Sequence, residues 1–216
     1  MHTISGALRA TPVNQLPILS SIAPPSVRRE AAVLALTRKA KNDEDHLLYT
    51  IVSDPPPPVR LKSRHAFAQH AHLLLEAIPD TTSKQMWTKS RWMEEWRLAD
   101  HQRLHRFIAD PDNIPGAELP RKQWTMLNRL RTGVGRFSAT MRDWGLKDSA
   151  VCECGHPEQT VTHVIEECPL FRPPNGEQGI VVLDDETRTW LAETVADLRG
   201  AGKRQKKKKL ACKCEK

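Results

Sequence analysis

Four residues of metal-binding types lie within one 17-residue stretch of this chain. Cys152 and Cys154 are separated by a single residue, eight residues then precede His163, and four residues separate His163 from Cys168. Thiolates and imidazole are the ligands that closed tetrahedral zinc sites use. Four protein ligands leave no coordination position for water or substrate, so the pattern predicts a structural zinc (Zn²⁺) site and no catalytic one.

The Cys-x-Cys pair is shorter than the two-to-four-residue gap usual for zinc ligands. Two other readings of the cysteines therefore stay open, buried free thiols and a redox pair. His156 competes for the metal by position, although we expect it to belong to the turn after Cys154. Gly155 directly follows the second thiol, where a tight turn can point backbone amides at sulfur.

The segment that presents the last two ligands needs a helix and then a change of direction. We expect Thr160 or Thr162 to begin a short helix that carries His163. Residues five apart lie well off one face of a continuous α-helix. Pro169 disfavours helical geometry at Cys168, so we expect the chain to turn there and bring the thiol back.

Two helices are predicted immediately before these ligands. The first begins at Pro120 and ends at Gly133, with an apolar side that Trp124, Leu127, Leu130 and Arg131 define. The second covers Ser138 to Trp144, with Ser138 as the N-cap and Gly145 as the C-cap.

Positive charge is concentrated around these two helices. Residues 119–150 contain seven cations and two anions, whereas residues 151–200 carry a net charge of −7. We therefore expect phosphate contacts before the metal ligands, with the zinc site acting as a clamp. A solvated helix face is the open alternative. The predicted nucleic-acid-binding residues are Arg121, Lys122, Arg129, Arg131, Arg136 and Arg142.

The sequence as a whole predicts a mainly α fold, with several short helices, proline-rich connectors, a small zinc knuckle and a disordered basic tail. Four segments are expected: 1–60, 61–115 as a helical linker, 116–170 with the basic helices and knuckle, and 171–216. Trp92 and Trp96, one helical turn apart, either stack nucleic-acid bases or form a core face. The other predicted helices are Pro25–Lys41, Ser63–Ile78, Ser83–Ala99 and Asp184–Leu198; His46–Val52 is a strand or a helical turn, and Pro55–Pro58 is a boundary.

Composition restricts the partners. The 216 residues carry a net charge of +7, which favours RNA or DNA as a partner. We find no apolar run of about 18 residues and expect no membrane span. The first ten residues lack signal-peptide features, so we expect a reducing compartment without disulfides.

The basic run 203–209 favours nuclear over cytoplasmic localisation, with a solubilising tail as the alternative. Cys212 and Cys214 have no nearby histidine and are not expected to bind a second metal.

Several blocks of this sequence together resemble the C-terminal end of reverse transcriptases from jockey-type non-LTR retrotransposons. They are Leu119–Arg136 with its Leu-Arg-Thr-Gly motif, Trp144-Gly-Leu146, Cys-x-Cys-Gly, His163 and Cys168-Pro-Leu170. Residues 4–30 resemble the segment just after the polymerase domain, so the resemblance runs from about Ile4 to Arg172. It implies that the knuckle binds nucleic acid during target-primed reverse transcription and that Cys152, Cys154, His163 and Cys168 are the ligands.

The chain departs from that family in lacking the Tyr-x-Asp-Asp-like palm motif and an endonuclease. Asp184-Asp185 lies after the knuckle at a predicted helix start, where acidic residues suit the helix dipole. We therefore predict a noncatalytic C-terminal fragment that binds RNA or single-stranded DNA in a zinc-dependent way, without a small-molecule substrate. The alternative is a helical protein–protein adaptor, for instance to another retroelement-encoded protein, in which the knuckle is purely structural.

Overall fold

The computed structural model describes residues 1–54 and 67–194, and within these ranges all regular structure is helical. The predicted mainly α fold is therefore confirmed. The chain divides into two compact units, Met1–Ala117 and Glu118–Lys216. No helix in the described ranges has the length and apolar character needed to cross a bilayer.

The first unit contains seven α-helices and one 3₁₀ turn in its described part. In chain order they are α1 His2–Ser5, the 3₁₀ turn Val13–Gln15, α2 Leu16–Leu19, α3 Pro25–Lys41, α4 Tyr49–Ser53, α5 Phe67–Ala77, α6 Lys84–Leu98 and α7 Gln102–Phe107.

The second unit contains four α-helices and one π-helical turn in its described part. They are α8 Arg121–Thr132, α9 Ser138–Asp143, the π-helical turn His163–Glu167, α10 Gly176–Val182 and α11 Asp185–Thr194. The π-helical turn packs against α10, α10 against α11, and α11 against α8. Residues 171–194 thus belong to the same unit as the predicted knuckle.

Helix α3 is the centre of the first unit and packs against α4, α5 and α6. It has the predicted bounds, because Pro25 begins it and an apolar face follows at helical spacing. Ser83 caps α6 by accepting a hydrogen bond from the Met86 amide at 3.1 Å. Trp92 and Trp96 are each only 3% exposed, so the interpretation as a core face is confirmed and they offer no surface to a base.

Arg38 ties α3 to the turn after α5. Its guanidinium donates to the backbone carbonyls of Thr82 at 2.5 Å, Pro79 at 2.6 Å and Ile78 at 3.2 Å. These three carbonyl acceptors satisfy the Arg38 guanidinium, which explains why a charged side chain can be mostly shielded from solvent here. This is a structural role for one of the basic residues of α3.

The second unit begins with a helix whose ends follow local signals. Pro120 precedes α8, and Gly133 ends it in the left-handed conformation with φ of 75°. Trp124, Leu127 and Leu130 are buried as predicted. Close packing of α10 on α11 depends on Gly179, because a side chain there would collide with the buried Thr187.

Of the other predictions, some are settled by the structure and some concern residues that it does not describe. The stretch His46–Val52 contributes to a helix, α4, and not to a strand. Helices α1, α2, α7 and α10 were not predicted. The four-proline run, the first residues of the helix predicted at Ser63, the end of the helix predicted at Leu198, the basic run 203–209, Cys212 and Cys214 lie outside the described residues.

Candidate metal centre

The four predicted ligands converge in the second unit, with their ligand atoms all within 4.8 Å of one another. The Sγ atoms of Cys152 and Cys168 lie 3.7 Å apart, and Cys154 Sγ lies 3.2 Å from His163 Nε2. A tetrahedral zinc ion would place two sulfurs about 3.8 Å apart and sulfur and nitrogen about 3.6 Å apart. The donor set and its spacing therefore fit one tetrahedral cation.

A tight turn allows both thiols of the short Cys-x-Cys pair to face the same point. The Gly155 amide donates to the Cys152 carbonyl, and the Cys152 amide donates to the His156 carbonyl, both at 2.9 Å. Gly155 has φ of 95°, a conformation that side chains rarely adopt. The turn folds the two thiols toward the same point although only one residue separates them.

The π-helical turn corrects the expected path between the last two ligands. The Cys168 amide donates to the His163 carbonyl at 2.8 Å, an i to i+5 hydrogen bond. This wider turn brings ligands five residues apart together while the backbone is still helical, so no break is needed between them. Cys168 itself is extended, as Pro169 requires. Thr160 starts the segment by accepting a hydrogen bond from the His163 amide at 3.1 Å.

Glu167 orients the histidine ligand and was missed by the sequence analysis. Its carboxylate lies 3.4 Å from His163 Nδ1, while Nε2 of the same ring faces Cys154. A carboxylate on the second nitrogen of a metal-binding imidazole fixes the ring and raises its basicity. The available signal was the spacing of four residues from His163 on a helical segment.

His156 belongs to the turn and not to the group of four. Its ring stacks on that of His163, with centroids 4.1 Å apart and planes inclined by 14°. Its Nδ1 accepts a hydrogen bond from the Glu158 amide at 3.3 Å. His156, His163 and Glu167 also form a convergent group, but it shares His163 with the first group.

Gln159 is a second residue that the sequence analysis missed. Its side chain reaches Cys152 Sγ at 3.6 Å and accepts hydrogen bonds from the amide and hydroxyl of Ser138 at 3.0 and 2.8 Å. Ser138 is therefore not the predicted N-cap, a position that Phe137 occupies. No spacing rule could identify Gln159, because its partners lie up to 21 residues away.

Their surroundings give the thiols of Cys154 and Cys168 different pKa values. The backbone amide of His156 donates to Cys154 and lowers the pKa of that thiol to about 7. Burial raises the pKa of the Cys168 thiol to about 11. At neutral pH the free site therefore holds Cys154 partly as thiolate and Cys168 as thiol, and a metal ion must displace the Cys168 proton on binding.

The predicted phosphate-contacting cations differ in exposure. Arg121, Lys122 and Arg136 are exposed, and Arg129 is half-buried. Arg131 is fully buried, with its guanidinium 5.9 Å from the Trp124 ring centroid. Burial lowers the pKa of Arg131 to about 9. The structure thus corrects the inclusion of Arg131, because a side chain without exposed surface does not contact a phosphate.

Arg142 is exposed but is shared between two carboxylates. It forms ion pairs at 3.0 Å with both Asp143 and Glu158. Glu158 lies between the candidate ligands Cys154 and His163, so the ion pair links α9 to the segment 152–168. A phosphate would have to compete with these two acids for Arg142.

Two curated proteins are similar to parts of this chain. The "Retrovirus-related Pol polyprotein from type-1 retrotransposable element R1" of Popillia japonica is 38% identical over 83 residues, which is 38% of this chain and 31% of that protein. The protein of the same description from Bradysia coprophila is 29% identical over 110 residues, 48% of this chain and 9% of that protein. The chain thus spans less than a third of either polyprotein. No family model and no solved structure matches it.

Proposed function

We propose a function from the premise that this chain carries a segment of non-LTR retrotransposon origin, on the strength of its similarity to two R1 Pol polyproteins. The similarity to these two polyproteins confirms the resemblance to non-LTR retrotransposon proteins that the sequence analysis stated. The proposed function is binding of RNA or single-stranded DNA by a unit whose metal centre holds zinc. The observation that carries it is the convergence of three sulfurs and one imidazole nitrogen within 4.8 Å, in the same compact unit as several exposed cations of and near α8.

Zinc is the metal that this donor set favours. Thiolates select soft or borderline metals, and a mixed sulfur and nitrogen set in tetrahedral arrangement is typical of structural zinc sites. Cys152, Cys168 and His163 are buried and Cys154 is half-buried, which suits a closed site without an exchangeable ligand. The metal's task in this proposal is to hold the segment 152–168 in place.

The nucleic-acid contacts are proposed for the cations that the structure leaves exposed. Arg121, Lys122 and Arg136 form the set that we call the basic triad. Such side chains neutralise phosphates without reading sequence, and binding of this kind weakens with salt through counterion release. The exposed acids of the segment between the ligands, including Glu153 and Glu166, oppose a polyanion at the metal centre itself. We therefore expect binding without polymerase or nuclease activity from this chain alone.

Charge reversal of the basic triad tests this proposal. In R121E/K122E/R136E we expect the Kd for a single-stranded RNA to rise at least about tenfold. The slope of log K against log salt should fall by about 2, because each lost phosphate contact on a single strand removes roughly 0.7. The measurement is a salt-titrated fluorescence anisotropy assay.

The matched control is R29E/K39E/K41E, which makes the same change in net charge on exposed residues of α3 in the first unit. We expect it to retain most of the affinity. An equal loss in both variants would assign binding to net charge alone, and wild-type protein that binds no RNA at low salt would reject the proposed function.

A second candidate, the adaptor function, is favoured by exposed apolar side chains in the second unit. Trp144, Leu146 and Val151 are exposed between α9 and the first thiol, and such side chains suit a protein interface. This candidate predicts protein partners that survive nuclease treatment and are lost in W144S/L146S. Retention of those partners by the variant would exclude these side chains as the interface.

A further inference from the structure

Gln159 joins the metal centre to the start of α9. Its side chain is 7% exposed. Its Nε2 donates to Cys152 Sγ at 3.6 Å, and its Oε1 accepts from the Ser138 amide at 3.0 Å and the Ser138 hydroxyl at 2.8 Å. One short side chain thus bridges a metal ligand and the first residue of a helix.

The orientation of the Gln159 amide follows from its partners. A backbone N–H can only donate, so the oxygen of Gln159 must face Ser138 and the nitrogen must face Cys152. The Gln159 amide therefore holds Cys152 Sγ and the Ser138 amide in fixed positions relative to each other.

The backbone of Gln159 strengthens the same connection. Its carbonyl accepts from the Ala139 amide at 3.3 Å, and its amide donates to the Ala150 carbonyl at 2.8 Å. Ser138 Oγ also accepts from Lys147 Nζ at 2.7 Å, beyond the other end of α9. Gln159 thereby holds both the first turn of α9 and the residue two positions before Cys152.

We propose that Gln159 is a positioning residue that couples metal occupancy to the order of α9, an inference that rests on the proposed metal binding. A bound metal fixes Cys152, Cys152 fixes the Gln159 amide, and the amide holds Ser138. Arg136 lies two residues before Ser138, and Arg142 lies within α9. The metal centre, which is itself surrounded by acids, thereby controls the position of Arg136, an exposed member of the basic triad.

Two substitutions in the full-length chain test the contact of Gln159 with Cys152 and its contact with Ser138 separately. Gln159→Glu keeps an oxygen for Ser138 but places a second carboxylate oxygen against Cys152. We expect its zinc affinity, measured by chelator competition, to fall about 10- to 100-fold, the range found for partners of metal ligands. Gln159→Ala removes both contacts. At saturating zinc we expect it to lose most of the zinc-induced protection of the Ser138 amide from hydrogen exchange.

Gln178→Ala is the matched control, because Gln178 is exposed on α10; it should equal wild type in both measurements, while protection of α3 reports on folding. Wild-type zinc affinity in Gln159→Glu would overturn the role of the contact between Gln159 and Cys152. Zinc-induced protection of α9 that persists in Gln159→Ala would overturn the coupling. Both results leave the proposed function standing if wild-type protein binds zinc, whereas wild-type protein that binds none would reject both.

Discussion

The first unit and the segment 150–168 of the second unit differ in what can stabilise them. The first unit is built by helix packing, with α3 against α4, α5 and α6 and with Val27, Leu34, Trp92 and Trp96 buried. The segment 150–168 has one turn and one short π-helical segment around the four candidate ligand atoms. Apolar burial offsets the conformational entropy of the chain in one region, and we expect a metal to do so in the other.

The first unit and the segment 150–168 should be vulnerable to different changes. Helices that bury apolar side chains are sensitive to cavities and indifferent to chelators. A segment that closes around thiolates is sensitive to metal, acid and the geometry of its turns. We expect the sensitivity to cavities and the sensitivity to metal removal to separate between the first unit and the segment 150–168.

Metal removal should have the largest effect. Structural zinc contributes roughly 10–16 kcal/mol of apparent binding energy in zinc-finger peptides at neutral pH. We expect a chelator to abolish amide protection in residues 150–168 and to leave α3 protected, as measured by hydrogen-exchange mass spectrometry. Protection of residues 150–168 that survives complete metal removal would remove the distinction between the units.

A cavity in the first unit should produce the converse result. Leu34 is 1% exposed on α3, and Leu34→Ala should lower the free energy of unfolding of that unit by about 2–5 kcal/mol. Zinc affinity should be unchanged. Leu36→Ala is the control on the same helix, because Leu36 is 41% exposed. Urea unfolding with chelator competition measures both quantities, and a matching loss of zinc affinity in Leu34→Ala would show that the units are not independent.

The pH dependence of zinc affinity sharpens the description of the second unit. The Cys168 thiol of the free site has a pKa of about 11, so it is protonated between pH 6 and 8 and must lose its proton when metal binds. Raising the pH therefore favours binding, by at least about tenfold per pH unit for this one proton. Competition with a chelator of known proton affinity checks the slope. A flat profile across this range would contradict thiolate ligation by Cys168.

The turn at Gly155 should give the smallest effect. Ala at this position meets no neighbouring atom within 4 Å, so only the backbone strain at φ of 95° remains. That strain is about 1–2 kcal/mol, which should weaken zinc binding about 5- to 30-fold in Gly155→Ala. Gly145→Ala is the control, with φ of 67° and equally open space, and it should leave zinc affinity unchanged. Equal effects in both variants would mean that the turn is not specific to the metal.

Local signals predicted most of the helices. Pro25 begins α3, Ser83 caps α6, and Gly133 ends α8, and each of these residues acts on the backbone beside it. The four ligands were equally accessible to prediction, because their residue types and spacing are visible in one short stretch. In these cases the physical cause lies within a few residues of its effect.

Features that depend on tertiary contacts or on rare backbone geometry were missed or wrong. The apolar row that contains Leu130 also contains Arg131, and this position, not the charge, determines that Arg131 is buried. The π-helical turn depends on a rare i to i+5 hydrogen bond that no ordinary propensity favours. Gln159 acts through Ser138 and Cys152, and neither contact is visible in the local sequence.

The most direct test of the central claim is the metal content of protein purified without chelator. We predict about one zinc per chain by inductively coupled plasma mass spectrometry, and none in the C152S/C168S variant. A C212S/C214S variant should match wild type, because Cys152, Cys154, His163 and Cys168 already supply the four ligands of a tetrahedral site. Wild-type protein that contains no stoichiometric zinc and takes up none when it is supplied would contradict the account.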